Sequence, residues 1–435
     1  CIGHSGARAC EADNHAHDSH ARLMSTEKRQ WDPLWLAKSL ADPDRPTFLA
    51  GCVPPREGTS EQQMLDIAKK FVDRARCLAT DGFTIYDIQD EASRTNDARP
   101  FPFRRTLPPE EFAALFPLLS GKGTVVYKSV GEQDEAAFGS WVSRAIGSHS
   151  CAAFNLVGAA SSDQPVKLKM PEAATVVQKR GDAAFGCVCI AERHLKKRSE
   201  HLNMLRKQEM GAAWFISQAV YDADATVSML QDYGDICRQR GIKPLKVMLT
   251  FAPAGRPKTM QFVRWLGIAV PEQVEQRIAK AAEVSKEAAV AESIEVCCEA
   301  LSSILARSVS SGVPLGINVE SVSGFREEID GVFELFRRLQ QLILDAKGTP
   351  WGVRWYRVPV ASLTRSSSEQ ELLRLEQELE AKRQDHQQKA QRQKQILQQI
   401  QQKAPAPPDS ATAAPTTPPV AWMLGGVLAG CALTA

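Results

Sequence analysis

The chain has eleven cysteines but no CxxC pair, and several of them sit inside apolar runs (Cys52, Cys151, Cys187, Cys189). That pattern excludes a finger-like zinc spacing and favours reduced core thiols in a cytosol-like compartment over a disulfide framework. Neither sign of charge dominates. The formal net charge is +2, so no strong attraction to nucleic acid or to an anionic membrane surface is expected. No G-x-G-x-x-G follows the first apolar run, which counts against a doubly wound dinucleotide fold. Position 1 is Cys1 rather than Met. Met24 reads as a candidate start, with no secretory signal ahead of it.

What is present is an alternation. Short apolar runs recur at 47–53, 83–88, 124–130, 151–157, 184–190, 213–219, 245–251 and 314–319. Amphipathic stretches at 61–79, 132–146, 195–212 and 223–240 lie between them, and a long helical insertion at 271–311 precedes the last run. Eight βα repeats predict an α/β fold, a (β/α)8 TIM barrel over residues 46–360, in which the aromatic segment 348–360 seals one end.

The flanks differ in composition. Residues 1–45 form a polar N-terminal segment in which His4, His15, His17 and His20 lack metal-site spacing, so no metal is expected. Residues 367–403 read as a charged, Gln-rich helix. Its leucine heptad (Leu372, Leu375, Leu379) is interrupted by Lys382, His386 and Lys389, so it is a solvated helix or a weak self-association element. Residues 404–419 form an extended Pro/Ala/Thr linker. The hydrophobic tail 420–435 falls just short of the roughly 20 residues that a spanning helix needs. A tail anchor, a lipid-anchor signal and a truncated end all remain open for it. The expected location is cytoplasmic, with tail anchoring to a membrane as the variant.

The richest stretch runs from Phe185 to Asp222. A buried strand leads into Glu192 and His194. The helix that follows places Glu200, Asn203 and Lys207 at i, i+3 and i+7, on one face. A second strand ends in Gln218 and Asp222. Polar groups at successive strand ends, beside a polar helix stripe, point to a ligand site at the C-terminal face of a barrel. A solvated helix face and, for Asp222, a plain helix cap are the competing readings of the same residues.

This stretch resembles the methylenetetrahydrofolate reductase family, a group of flavin-dependent barrels. The family's Tyr-Pro-Glu-x-His appears as Ile190-Ala191-Glu192-Arg193-His194, its Asp-x-x-Asn-x-x-x-Lys stripe as Glu200, Asn203 and Lys207, and its Thr-Gln-x-x-x-Asp as Ser217-Gln218 and Asp222. The resemblance implies FAD held by His194, Glu200, Asn203 and Lys207, with folate contacted by Gln218, Asp222 and Glu192. It implies reduction of 5,10-methylenetetrahydrofolate to 5-methyltetrahydrofolate with NAD(P)H, in one-carbon and methionine metabolism.

The departures are equally specific. Gly51 falls where the family has its proton-donating Glu, and Ala159 where it has a flavin-tuning Asp; Asn318 and Val322 replace a Tyr and an Arg near the last strand. Asp87, Asp90 and Glu91, just past the second strand, are the candidate replacement acids. Two rivals to the reductase follow from these losses. One is a folate-binding methyltransferase-type barrel without flavin, and the other is a non-catalytic barrel that binds folate or a nucleotide.

Overall fold

The computed structural model describes residues 32–91, 95–158 and 165–346. The aromatic segment 348–360, the Gln-rich helix, the linker, the hydrophobic tail and Ala159 lie outside the described residues, as do the N-terminal histidines.

Eight parallel strands close into one barrel in sequence order. They are β1 (Phe48–Cys52), β2 (Gly82–Ile85), β3 (Thr124–Ser129), β4 (Ala153–Val157), β5 (Ala184–Cys189), β6 (Trp214–Ala219), β7 (Lys246–Phe251) and β8 (Leu315–Val319). The predicted (β/α)8 architecture is therefore the observed one, and each strand falls within a residue or two of its apolar run. Closure is made by β8 on β1, with Phe48 opposite Ile317 and Ala50 opposite Val319.

The helices in chain order are α1 (Trp35–Ala41), α2 (Glu61–Ala75), α3 (Pro109–Ala113), α4 (Leu115–Ser120), α5 (Glu135–Gly147), α6 (Met170–Arg180), α7 (Ala191–Lys197), α8 (Glu200–Glu209), α9 (Ala223–Arg240), α10 (Pro257–Trp265), α11 (Glu272–Val284), α12 (Lys286–Arg307) and α13 (Arg326–Asp345). Several start where a side chain caps the first turn. Ser60 and Gln63 form a reciprocal capping box on α2, and Asp134 and Ser285 accept from backbone N–H groups of α5 and α12. The periodic stretch 195–212 is not one helix. Arg198 adopts a left-handed backbone (φ 45°) that ends α7, and α8 restarts at Glu200. The insertion before β8 is present as α11 and α12.

Strand alternation sorts the side chains into two layers. Outward positions such as Phe48, Phe83, Val126, Phe154, Phe185, Phe215, Leu249 and Ile317 pack beneath the helices. Inward positions Leu49, Val125, Ala153, Trp214, Ile216 and Met248 fill the lower barrel, and Leu36, Ala37 and Leu40 of α1 cover that end. Helix α1 lies within the segment expected to be merely polar. Its three apolar residues cost free energy in water and are buried against the barrel floor. Lys246 reaches this floor too, donating from Nζ to Ser39 O (2.6 Å) and Thr47 Oγ1 (2.9 Å). Burial pulls its pKa down to about 7.

The eight described cysteines are free. No helix among the described residues is long and apolar enough to cross a membrane.

Candidate functional site

Above the apolar floor, the inward positions turn polar. Thr84, Tyr86, Tyr127, Ser129, Asn155, Thr250 and Asn318 alternate with the outward core residues of β2, β3, β4, β7 and β8. They form a layer toward the strands' C-terminal ends, the face on which barrel chemistry sits. Asn155 is fully buried, and neither its amide nitrogen nor its oxygen has a hydrogen-bond partner among the described residues. Thr84 Oγ1, Ser129 Oγ and Asn318 Oδ1 are in the same state. Buried polar atoms are normally satisfied, so four residues of one layer with spare donors and acceptors mark a place built for a polar guest.

Glu320, one residue past β8, is the centre of this layer. Asn318 Nδ2 donates to Tyr86 OH (2.7 Å) and lies 3.2 Å from Thr250 Oγ1. The Tyr86 hydroxyl in turn neighbours the Glu320 carboxyl. Burial pushes the Glu320 carboxyl up to about 7, and the Tyr86 hydroxyl offsets part of that rise. At neutral pH the group is poised between acid and base, the condition a proton donor or a neutral hydrogen-bonding acid requires. The rings of Tyr86 and Tyr127 meet at 4.7 Å beside it. Burial, and then the neighbouring Glu320, hold both phenols far above their ordinary pKa, so they remain neutral hydroxyls.

Glu320 was not among the residues singled out in the sequence. The signal that could have found it is a lone acid directly after an apolar strand, in Asn318-Val319-Glu320. Its meaning depends on Gly51. A Cβ built on Gly51 would lie 2.8 Å from Glu320 Cβ and about 3 Å from the Tyr86 ring. The missing side chain at position 51, where the resemblance expects an acid, is thus the room that Glu320 and Tyr86 occupy.

Asp87 stands beside this layer. Its Oδ2 accepts from Ser129 N (2.9 Å) and its Oδ1 from Gln89 Nε2 (2.8 Å), tying the ends of β2 and β3 together. Burial raises its pKa, while Lys128 acts in the opposite direction. Asp90 and Glu91 continue the same loop, Asp90 exposed and Glu91 half-buried.

The residues expected to hold FAD form two groups. In the first, Glu200 is fully buried. Its Oε1 accepts from Ile190 N (3.3 Å), its Oε2 accepts from Asn203 Nδ2 (2.8 Å), and Lys207 Nζ donates to Val188 O (2.6 Å). This stripe clamps α8 onto the end of β5. In the second, His194 points into the helical layer, with its Nε2 3.1 Å from Asp232 Oδ2 on α9 and its ring 5.2 Å from that of His201. Burial lowers the His194 pKa.

The residues expected to touch folate are likewise distributed. Glu192 Oε1 accepts from Ala269 N (3.2 Å), and burial raises its pKa. Gln218 Nε2 donates to Leu266 O (2.9 Å) next to a register shift in β6. Asp222 caps α9, its Oδ1 accepting from Asp224 N (2.9 Å) and Ala225 N (3.1 Å).

No family model matches the chain, and no curated protein does. Among solved structures, the chain is similar to an uncharacterized protein from Clostridium thermocellum that binds two copies of 5-methyl-5,6,7,8-tetrahydrofolic acid. The identity is 27%, the match covers 70% of this chain and 99% of that one, and the TM-score is 0.59. A slighter likeness, at 13% identity and a TM-score of 0.39 over 82% of this chain and 99% of the other, is to 2,3-dimethylmalate lyase, a member of the PEP mutase/isocitrate lyase superfamily.

Proposed function

We propose that this barrel binds a reduced folate of the 5-methyltetrahydrofolate type at its C-terminal mouth, without needing a flavin to do so. The observation that carries this reading is the similarity, across nearly the whole length of the neighbour, to a protein that binds two copies of 5-methyl-5,6,7,8-tetrahydrofolic acid. The polar layer supports it chemically. A reduced pterin presents an aminopyrimidinone edge with adjacent donors and acceptors. Glu320, the unpartnered amide of Asn155 and the spare Oδ1 of Asn318 offer the complementary set, and Tyr86 and Tyr127 offer aromatic surface. The Glu200–Asn203–Lys207 stripe supports a flavin-free reading, because its polar atoms already serve one another and the β5 backbone. A cofactor phosphate would have to displace those bonds.

Titration of the full chain with 5-methyltetrahydrofolate, followed by calorimetry, tests the reading. Saturable binding is expected, weakened about tenfold or more in Glu320→Gln and in Asn155→Ala, since one hydrogen bond to a charged or buried partner contributes about 1.5–3 kcal/mol. Absence of binding to the unaltered chain overturns it.

A second reading, reduction of methylenetetrahydrofolate as in the reductase family, is favoured by one observation. Glu320 fills the space beside Gly51 with an acid whose pKa is near 7, so it can supply the proton that the family takes from its first strand. A flavin absorbance spectrum after reconstitution with FAD, together with NAD(P)H oxidation in the presence of a folate, separates this reading from the first.

A further inference from the structure

Outside the barrel, three ligand-type side chains converge where α7, α8 and α9 meet. The His194, His201 and Asp232 donor atoms all lie within 4.8 Å of one another. The two imidazoles approach edge to face with centroids 5.2 Å apart. His194 is fully buried, and neither of its ring nitrogens, nor Nδ1 of His201, has a hydrogen-bond partner of standard geometry among the described residues. His194 Nε2 lies 3.1 Å from Asp232 Oδ2, while Nδ1 of His194 and Nδ1 of His201 are left without a partner among the described residues, and buried imidazole nitrogens normally find one. None of these atoms belongs to the folate mouth.

We infer that His194, His201 and Asp232 form a binding site for a single divalent transition-metal ion of the Zn2+ or Co2+ class. Two imidazole nitrogens and one carboxylate oxygen are the donor set that such borderline ions prefer over Ca2+ or Mg2+, which favour oxygen. Three protein ligands leave a coordination position for water, and the half-buried His201 and Asp232 place that position toward solvent. Arg198 is the built-in competitor. Its guanidinium donates to Asp232 Oδ2 (2.8 Å), but its side chain is 69% exposed and free to swing away. Metal and Arg198 therefore exchange on one carboxylate.

Full-length protein titrated with Co2+ and followed by visible absorption tests this, with Zn2+ as the competing ion. Weak ligand-field bands that saturate at one equivalent, without an intense thiolate charge-transfer band, are expected. The band criterion matters because Cys1, Cys10 and the N-terminal histidines can also take up metal. His201→Ala and Asp232→Asn should each weaken this equivalent at least tenfold to a hundredfold, as even losses of outer-shell partners do. Arg198→Ala should bind as tightly as the unaltered chain or more so. His201 is half-buried, so an unchanged circular dichroism melt of His201→Ala shows that lost binding is not lost folding. No saturable signal, or a signal of equal strength in His201→Ala, overturns the site.

Discussion

Glu320 occupies the space that any side chain at Gly51 would need, with 2.8 Å between Glu320 Cβ and a Cβ built on residue 51. The two positions, on strands that close the barrel, hold one acid between them. Gly51→Ala should therefore destabilise the protein by about 1–3 kcal/mol through overpacking. The double variant Gly51→Ala/Glu320→Gly should recover most of that loss in a urea melt. Equal destabilisation in the single and double variants would show that the positions are not coupled.

The pH dependence of stability should have two limbs with opposite signs. Glu320 is raised from 4.5 to about 7, so the folded state holds its proton more tightly than the unfolded chain. Stability then falls as pH rises through that window, by at most about 1.4 kcal/mol per pH unit. Lys246 is lowered from 10.5 to about 7, so the unfolded chain binds the extra proton and stability rises with pH between those values. Urea unfolding at a series of pH values should show the acidic limb flattened in Glu320→Gln and the alkaline limb flattened in Lys246→Met. An alkaline limb that survives in Lys246→Met would assign it elsewhere.

Gly186 on β5 faces the indole of Trp214 on β6, and a Cβ at position 186 would collide with the ring. Trp214 is fully buried in the barrel floor. Gly186→Ala should cost about 1–3 kcal/mol by overpacking. Trp214→Ala should cost about 3–5 kcal/mol by leaving a cavity. Combining Gly186→Ala with Trp214→Leu should cost less than the sum of the separate changes, as read from thermal melts.

Asp222 distinguishes a cap from a ligand contact. Its Oδ1 accepts two backbone N–H groups at the start of α9. Asp222→Ala should lower stability by about 0.5–2 kcal/mol. Asp222→Ser, which can still cap, should restore most of it. If Asp222 also binds folate, Asp222→Ser keeps the stability but loses affinity in the calorimetric titration, and unchanged affinity leaves it with the cap alone.

Much of the fold was legible in the sequence because its causes are local. A parallel strand covered on both faces reads as an apolar run, and each of the eight strands fell within a residue or two of such a run. Asp222 and Ser60 are caps for reasons confined to one helical turn. The break at Arg198 was less visible, because helical periodicity continues across it.

The sequence by itself determined a (β/α)8 barrel, and set beside the family it resembles it showed Gly51 where that family carries an acid. Only the tertiary structure decided where an acid stands instead. Tyr86 and Glu320 are more than two hundred residues apart in sequence, and they meet because β8 closes onto β1 and brings the mouth of β2 beside it. Tertiary packing also turned His194 toward His201 and Asp232, and set the Glu200 stripe against the β5 backbone. Spacing along a helix specifies which residues share a face. What that face meets is fixed by the packing of the neighbouring elements, and that information is non-local.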